Sequence, residues 1–502
     1  MRLRRSLLAI CALLAACTPH APAPVAPATG GVRFLLINDV YVVGSQRDGS
    51  GGIPRVAALR HQLAGDGRAP IFVLAGDVLS PSLLSKWYAG RQMVEALDTA
   101  GLDYATFGNH EFELDRPALE ARIAESHFRW VSSNCTAADG SPFARVLPWD
   151  TLTVNGVRVG VFGLTVIGDY RSYVRCTDTD SAAHRVVATL RAVGAQLVVG
   201  ITHQNLSTDS LLLAHEPGVD LILGGHEHEW HEVRSAGKLV AKADANARSA
   251  QLVTARRQGD GWQTDTRLIK VEASLPEDPA TARVVQDWTD SLVHRLGPER
   301  PVGTAAAPID ARDAVGRTRE SALGDLVTDA IRAGTGADVA IINAGSMRVD
   351  DVLRAGPITN YQLESIFLFA DETHVITFPI TGGRLRTLLE HSVSDGAYGH
   401  GGFLQVSGIA FTYDPSRAEG ARLVGPLRRA DGTTLGDADS VRLAFNAYPA
   451  CSRGDGYVVP EAAAACPTAT SGPRAVDLLM TYITGTLHGT IGAPTSGRIT
   501  RQ

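Results

Sequence analysis

Lysine is nearly missing from this chain. Among 502 residues it occurs only at Lys86, Lys238, Lys242 and Lys270, so the basic side chains are almost all arginine. That skew reads as genome bias and carries no functional weight. A basic excess is missing too, because the formal net charge is −6. Proteins that hold nucleic acid by bulk charge usually show the opposite balance, which argues against that class. Cysteine is scarce, with 6 residues and no C-x-x-C pair. A thiolate zinc site is therefore not expected. Beyond the N-terminal segment no apolar run is long enough to span a bilayer, and no internal repeat is present. What is there is ordinary: 44% hydrophobic and 20% charged residues place the chain among globular proteins and away from disorder. At roughly 150 residues per domain, the length suggests two or three domains.

The N-terminus reads as an export signal. Arg2, Arg4 and Arg5 precede an apolar run from Leu7 to Ala16, a charged region followed by a core too short to span a membrane in the mature protein. The run ends in Leu14-Ala15-Ala16-Cys17, which resembles a bacterial lipobox. We therefore expect a signal peptide over 1–17 and a lipid on Cys17 that anchors the protein in the cell envelope. Thr18 follows and not Asp, so the expected site is the outer membrane, facing the periplasm. The Pro/Ala-rich stretch 18–31 should be an extended tether. Once Cys11 is removed and Cys17 acylated, Cys135, Cys176, Cys451 and Cys466 remain. An oxidising compartment favours pairing them, and four cysteines allow three connectivities. We expect Cys135–Cys176 and Cys451–Cys466, because each pair falls within one predicted domain.

Apolar, β-rich runs recur through the first half, each ending in polar residues: Val32 to Asp39, Ile71 to Asp77, Tyr104 to Glu113, Val157 to Val166, a run ending at His203 and a run ending at His228. Helical stretches lie between them, including 85–100 and 116–126. Short continuous apolar runs with intervening helices predict buried strands in a layered α/β fold. In such folds ligands gather beyond the carboxyl ends of strands. Asp39, Asp77, Asn109, His110, His203, His226 and His228 therefore converge on one edge. Singly, each is an ordinary turn or hydrogen-bonded residue. Together, Asp, Asn and His without Cys suit Zn²⁺, Mn²⁺ or iron more than Ca²⁺. Two such cations roughly 3.5–4 Å apart can hold both the attacking and the leaving oxygen of a phosphoryl transfer.

At these residues the chain resembles the calcineurin-like metallophosphoesterases, and more closely the 5′-nucleotidase family. The motifs are Asn38-Asp39, Gly76-Asp77, Gly108-Asn109-His110-Glu111-Phe112, Thr202-His203 and Gly224-Gly225-His226-Glu227-His228. The resemblance implies an α/β/β/α metallophosphoesterase sandwich over 32–273, followed by a second α/β domain, the 5′-nucleotidase C-terminal domain, over 301–502. It implies two divalent metal ions, zinc, manganese or similar. Asp77 would bridge them, Asp39 and His228 would hold one, and Asn109, His203 and His226 the other. His110 would stabilise charge on the transferring phosphoryl group. Two departures stand out. The family usually has Asp-x-His in the first motif, where this chain has Asp39-Val40-Tyr41, so either Tyr41 is a metal ligand or water takes its place. The family usually has Asp after the GNHEF motif to orient the histidine. Here Glu113 holds that place, with Asp115 nearby.

The segment 274–300 predicts a linker helix. Asp278 and Pro279 sit at its start, apolar residues follow at 3–4 spacing, and Gly297 closes it. Beyond it, Arg319-Glu320-Ser321 opens a helix, 338–344 predicts a strand, and Asn343-Ala344-Gly345-x-x-Arg348 follows. The resemblance makes Arg348 a phosphate clamp and Phe403, in Gly402-Phe403-Leu404-Gln405, an aromatic stacked on the base. Tyr448 would be the second stacking aromatic and Asp455 the acceptor for ribose hydroxyls. The family's Pro-Phe-x-Asn segment appears only as Leu368-Phe369-Ala370-Asp371. The implied activity is removal of the 5′-phosphate of a nucleotide by a metal-bound hydroxide, with the nucleoside held by the second domain. Two alternatives stay open: a phosphodiesterase acting on UDP-sugars or 2′,3′-cyclic nucleotides, and a non-catalytic surface protein that binds nucleotides, which Tyr41 favours.

Overall fold

The computed structural model describes residues 31–502 except 66, 68, 169, 350, 370–372 and 493–496. The export signal, Cys17, nearly all of the tether and Ala370-Asp371 lie outside the described residues.

The first domain stacks two sheets face to face. Spatial order in the seven-stranded sheet is Gly261–Lys270, Ser249–Gln258, Val32–Ile37, Ile71–Ala75, Tyr104–Thr106, Arg129–Val131, Val146–Leu147. The six-stranded sheet runs His231–Ser235, Lys238–Lys242, Leu221–Gly224, Leu197–His203, Val157–Thr165, Trp149–Val154. The alternation of side chains along each strand explains the layering. Phe34 and Leu36 point between the sheets, against Val161, Val199 and Leu223. Leu35 and Ile37 point outward into a core shared with helix Ile53–Ala64 through Val56 and Ala57. Helix Thr179–Ala192 covers the outer face of the second sheet in the same way. The result is an α/β/β/α sandwich. Strands buried on both faces read as unbroken apolar runs. The central strands pair parallel in both sheets, so their carboxyl ends share one edge.

Helix 85–100 is interrupted. Ser85–Tyr88 and Arg91–Thr99 are separate helices, divided at Ala89 and Gly90, whose φ values are 48° and 82°. This left-handed backbone ends the first helix, and glycine at 90 lets the chain pass close to Leu79, which a side chain there would strike. Helix Pro279–Leu296 forms as expected, with Asp278 accepting from the Thr281 amide at 2.9 Å. It packs along the first domain and does not stand free between the two. Trp288 meets Tyr88 edge-on at 4.9 Å, and Val284 and Val285 join the outer core. The chain leaves that domain after Gly297, at φ 73°. Both expected disulfides are present, Cys135–Cys176 between adjacent strands and Cys451–Cys466.

The second domain is built on a mixed sheet in the order Val375–Thr381, Ser440–Asn446, Val339–Asn343, Leu404–Ser407. Helix Ala322–Thr335, capped by Ser321, packs on one face, with Val327 and Ile331 against Ala340 and Ile342. Helix Gly382–Ser392 packs on the other, with Leu385 and Leu388 against Ile341 and Phe378.

A buried ion pair joins the domains. Lys86 Nζ of the first lies 2.8 Å from Glu364 Oε2 of the second, with both side chains almost inaccessible. Arg474 holds the other carboxylate oxygen of Glu364 at 3.1 Å. We expect Lys86→Met to loosen this arrangement. The cost should fall below the about 3–5 kcal/mol of a buried charge left wholly unpaired, because Arg474 remains. Solution scattering should show a larger radius for the variant, and an unchanged radius and melting temperature would count against the ion pair as a latch.

Candidate metal centre and cleft

Each expected donor sits where an apolar strand stops. Asp39 follows Val32–Ile37, Asp77 follows Ile71–Ala75, and Asn109 and His110 follow Tyr104–Thr106. His203 ends Leu197–His203, and His226 and His228 follow Leu221–Gly224. The chain turns sharply to aim them. Asp39, Asp77, His226 and His228 take φ of 52°, 55°, 94° and 62°, a region costly for residues other than glycine and one that gathers at functional sites. Gly108 shows why glycine belongs to these motifs, since a Cβ there would collide with the Asp77 carboxylate.

The donor atoms fall into two groups that share Asp77 Oδ2. On one side Tyr41 Oη is 3.0 Å from Asp77 Oδ2 and 3.0 Å from His228 Nε2, and His228 Nε2 is 3.4 Å from Asp39 Oδ1. On the other side His203 Nε2 is 3.1 Å from Asp77 Oδ2 and 3.3 Å from His226 Nδ1. Ligands around one ion with bonds of about 2.0–2.1 Å lie roughly 3.0–3.4 Å apart in octahedral or tetrahedral geometry. The observed separations match.

Hydrogen bonding supports the same reading. His203 is fully buried, and its Nδ1 lies 2.9 Å from the Ala75 carbonyl, to which it must donate. Its Nε2 then faces carboxylates, which requires either a proton or a metal ion there. Asn109 Oδ1 is buried with no hydrogen-bond partner among the described residues. Burial pulls the His203 pKa down, but Asp77 and Asp39 outweigh it and raise it to about 10. Burial also opposes ionisation of Asp77, yet His203 and His110 hold its pKa well below the usual carboxylate range. Burial, with Asp77 and Asp39, lifts the Tyr41 phenol far above its ordinary value.

A pH dependence follows. The carboxylates are ionised at neutral pH, but the proton on His203 must leave before that nitrogen can ligate. Metal affinity at the position holding His203 should rise about tenfold per pH unit between about pH 7 and 9, the slope of one displaced proton. Calorimetric metal titrations across that window check this, and a flat profile would exclude His203 as a ligand.

His110 lies beside the donors. Its Nδ1 is 2.7 Å from Glu113 Oε1, and its backbone amide donates to Asp77 Oδ1 at 2.9 Å. Glu113 is therefore the carboxylate that orients the imidazole. Asp115 is not: it caps helix Arg116–Glu125 by accepting from the Ala118 amide. Arg348 crosses from the second domain to within 3.3 Å of both Glu113 Oε1 and His110 Nδ1. Glu111 went unassigned in the sequence motif. It is fully buried and accepts from the backbone amides of Asp77, Val78, Leu79 and Gly108 at 2.6–2.9 Å. It pins the turn that presents Asp77. The signal was a carboxylate placed between a ligand motif and an aromatic core residue. Lys242, also buried, bonds the Gly225 carbonyl and Glu227 and so holds the loop bearing His226 and His228.

These groups open on an interdomain cleft of about 1360 Å³, lined by Tyr41, Asp77, Asn109, His110, His226 and His228 from one side and Arg317 and Arg348 from the other. The three expected nucleoside contacts are not among its lining. Phe403 lies away from the cleft's lining. It is fully buried, packed on Tyr398 and Tyr413 beneath its sheet, with no ring face open to a base. Asp455 accepts from Asn343 Nδ2 at 2.7 Å. Burial raises its pKa, opposed by Asn343 and by the charge of Arg317, which places it near the cleft's arginine side. Tyr448 is partly buried with its ring against Gly454.

Two stacked sheets flanked by helices, with aspartates, an asparagine and histidines gathered at the strand ends, define a metallophosphoesterase. Residues 32–230 match the family model described as calcineurin-like phosphoesterase, and residues 301–461 match the 5′-nucleotidase C-terminal domain. The chain belongs to the 5′-nucleotidase family and is a metal-dependent phosphoric ester hydrolase. It is 25% identical to the 5′-nucleotidase of Bos taurus over 418 residues, 74% of this chain and 72% of that protein. It is 24% identical to a snake venom 5′-nucleotidase of Naja atra over 419 residues, 74% of this chain and 78% of that one. In fold it resembles the 5′-nucleotidase precursor of Thermus thermophilus, with a TM-score of 0.76 and 24% identity over 94% of this chain and 99% of that one.

Proposed function

We propose that this chain is an exported 5′-nucleotidase that removes the terminal phosphate of a nucleotide in the interdomain cleft. The observation that carries this reading is Arg348, which reaches from the second domain to the His110–Glu113 pair beside the donor cluster. One domain thus supplies the metal donors while the other supplies a cation for phosphate. Two divalent ions would be held by Asp39, Asp77, Tyr41 and His228 on one side, and by Asp77, Asn109, His203 and His226 on the other. When bound they supply a nucleophile at neutral pH and neutralise phosphate charge. The rest falls to the protein. Arg348 clamps the non-bridging phosphate oxygens, and His110, aligned by Glu113, donates to charge that develops on them. In this reading Asp455 would accept from ribose hydroxyls and Tyr448 would stack on the base. In this reading 32–273 is the catalytic domain and 301–502 the nucleotide-binding domain. The two disulfides suit an oxidising compartment, in keeping with export and a lipid on Cys17.

The test is product formation, resolved by chromatography, from metal-supplemented protein given AMP, UDP-glucose and 2′,3′-cyclic CMP side by side. AMP should be turned over fastest. Faster turnover of UDP-glucose or the cyclic nucleotide would replace the monoesterase reading with a diesterase one, and no turnover of any would leave only a binding role.

A further inference from the structure

The turn that carries His110 and Glu113 has little rigidity of its own. It is a single 3₁₀ turn, His110–Glu113, and the chain leaves it extended at Leu114. Its backbone bonds are long, 3.3 Å from the Phe112 amide to the Asn109 carbonyl and 3.4 Å from the Leu114 amide to the Glu111 carbonyl, in keeping with the poorer geometry of such turns. The start of the turn is pinned from outside, where the His110 amide donates to Asp77 and the Gly108 amide to Glu111. The last carbonyls of a helical turn have no partner within it and must be satisfied elsewhere. Here one neighbouring segment supplies two of those partners. Arg171 Nε donates to the Glu113 carbonyl at 2.8 Å, and Tyr173 Oη donates to the Leu114 carbonyl at 2.7 Å. The Tyr170 ring packs on Phe112 at 5.0 Å.

That segment is itself tied down as a strap. Val174–Cys176 pairs antiparallel with Cys135–Ala137, the Ala138 amide donates to the Tyr173 carbonyl at 2.8 Å, and the Cys135–Cys176 bridge closes the pair. What the strap holds is exacting. The Glu113 carboxylate meets His110 Nδ1 at 2.7 Å, Ser80 Oγ at 3.0 Å and Arg348 Nη2 at 3.3 Å. A backbone shift at Glu113 would spoil all three contacts, and a misplacement of about 1 Å can cost about 10²-fold in rate. We infer that Arg171 and Tyr173 are positioning residues for the hydrolysis: from a strap closed by Cys135–Cys176 they fix the backbone that follows His110 and so the alignment of the His110–Glu113 pair. Arg171 acts through the Glu113 carbonyl and not on the substrate. This inference rests on the charge-stabilising role proposed above for His110 and Glu113.

The experiment measures kcat, KM and bound metal for the full-length, metal-loaded protein on whichever of the three substrates above is turned over fastest. Arg171→Met keeps a long side chain and loses the donor. Its kcat should fall about tenfold, short of the loss for a full 1 Å misplacement and no further than in Glu113→Gln, with KM and bound metal unchanged. Arg171→Lys should recover most of the rate, because one carbonyl asks for one donor and not for the guanidinium fork. Tyr173→Phe, and Cys135→Ser combined with Cys176→Ser, should lower kcat in the same manner. The deciding readout is a double-mutant cycle. In a Glu113→Gln background Arg171→Met should cost far less than it does in the wild type, whereas a merely structural contact would cost the same in both. An unchanged kcat in Arg171→Met, or an equal loss in both backgrounds, would overturn the inference and leave the nucleotidase reading standing. An unchanged kcat in Glu113→Gln would remove the role on which the inference rests, and the inference with it. No turnover of any substrate by the wild type would overturn both this inference and that reading. Arg171 is exposed, so its variants decide the matter even if the cysteine variant fails to fold.

Discussion

Replacing Asp77 should abolish activity and metal response together. Its Oδ2 is the one atom common to both donor groups, and its Oδ1 holds the His110 amide. Losing a shared ligand removes several kcal/mol of charge stabilisation in the transition state. That corresponds to a fall of about 10³-fold or more in kcat/KM for AMP. Asp77→Asn is the sharper variant. Residue 77 sits at φ 55°, which asparagine tolerates and alanine does not, so the turn survives while the ionic ligand goes. Wild-type protein should melt at higher temperature as metal is added, because an ion that binds only the folded state stabilises it by mass action. Asp77→Asn should show little or no such shift. Undiminished phosphate release from AMP, with the fold intact, would remove Asp77 from the mechanism.

How far this site could be read in advance depended on how local its causes are. Strand ends were legible because a strand buried on both faces must be apolar throughout, so Asp39, Asp77 and His203 mark its exit from the core. The close-packed glycines at 76, 108 and 225 fixed the motifs for an equally local reason. Pairings across long sequence distances were not legible. Nothing near Arg348 says that it ends 3.3 Å from Glu113, and nothing near Tyr41 says that its hydroxyl lies between Asp77 and His228. Those contacts depend on how the domains and sheets dock. The orientation of Phe403 was illegible for a related reason. A motif gives the residue type, but which way an aromatic faces is set by tertiary packing, here against Tyr398 and Tyr413 at the residue before strand Leu404–Ser407. The break at Ala89 and Gly90 was hidden because a lone glycine within a helical pattern is tolerated as often as it ends the helix, and here both residues take left-handed backbone.

His110→Ala should separate the chemistry from the metal. Its imidazole shares no atom with the two donor groups, so metal content and the metal-induced rise in Tm should stay near wild type. What should fall is kcat, by about 10²–10³-fold, the usual loss when one donor to a developing charge is removed. KM should change little, because Arg348 still binds the phosphate. The ring's charge gives a second readout. Burial pulls the His110 pKa down, Asp77 and Glu113 outweigh it and raise it, and Arg348 acts against them. A raised pKa extends upward the pH range over which the imidazole stays doubly protonated, so its contribution is present below that pKa and lost as pH climbs through it. Once cations neutralise Asp77, Glu113 is the carboxylate left to sustain the shift. Glu113→Gln should therefore move the alkaline limb of the kcat profile to lower pH and reduce kcat less than His110→Ala does. A limb that stays in place in Glu113→Gln would detach it from His110, and an unaffected kcat in His110→Ala would leave Arg348 as the only protein group stabilising the transferring phosphate.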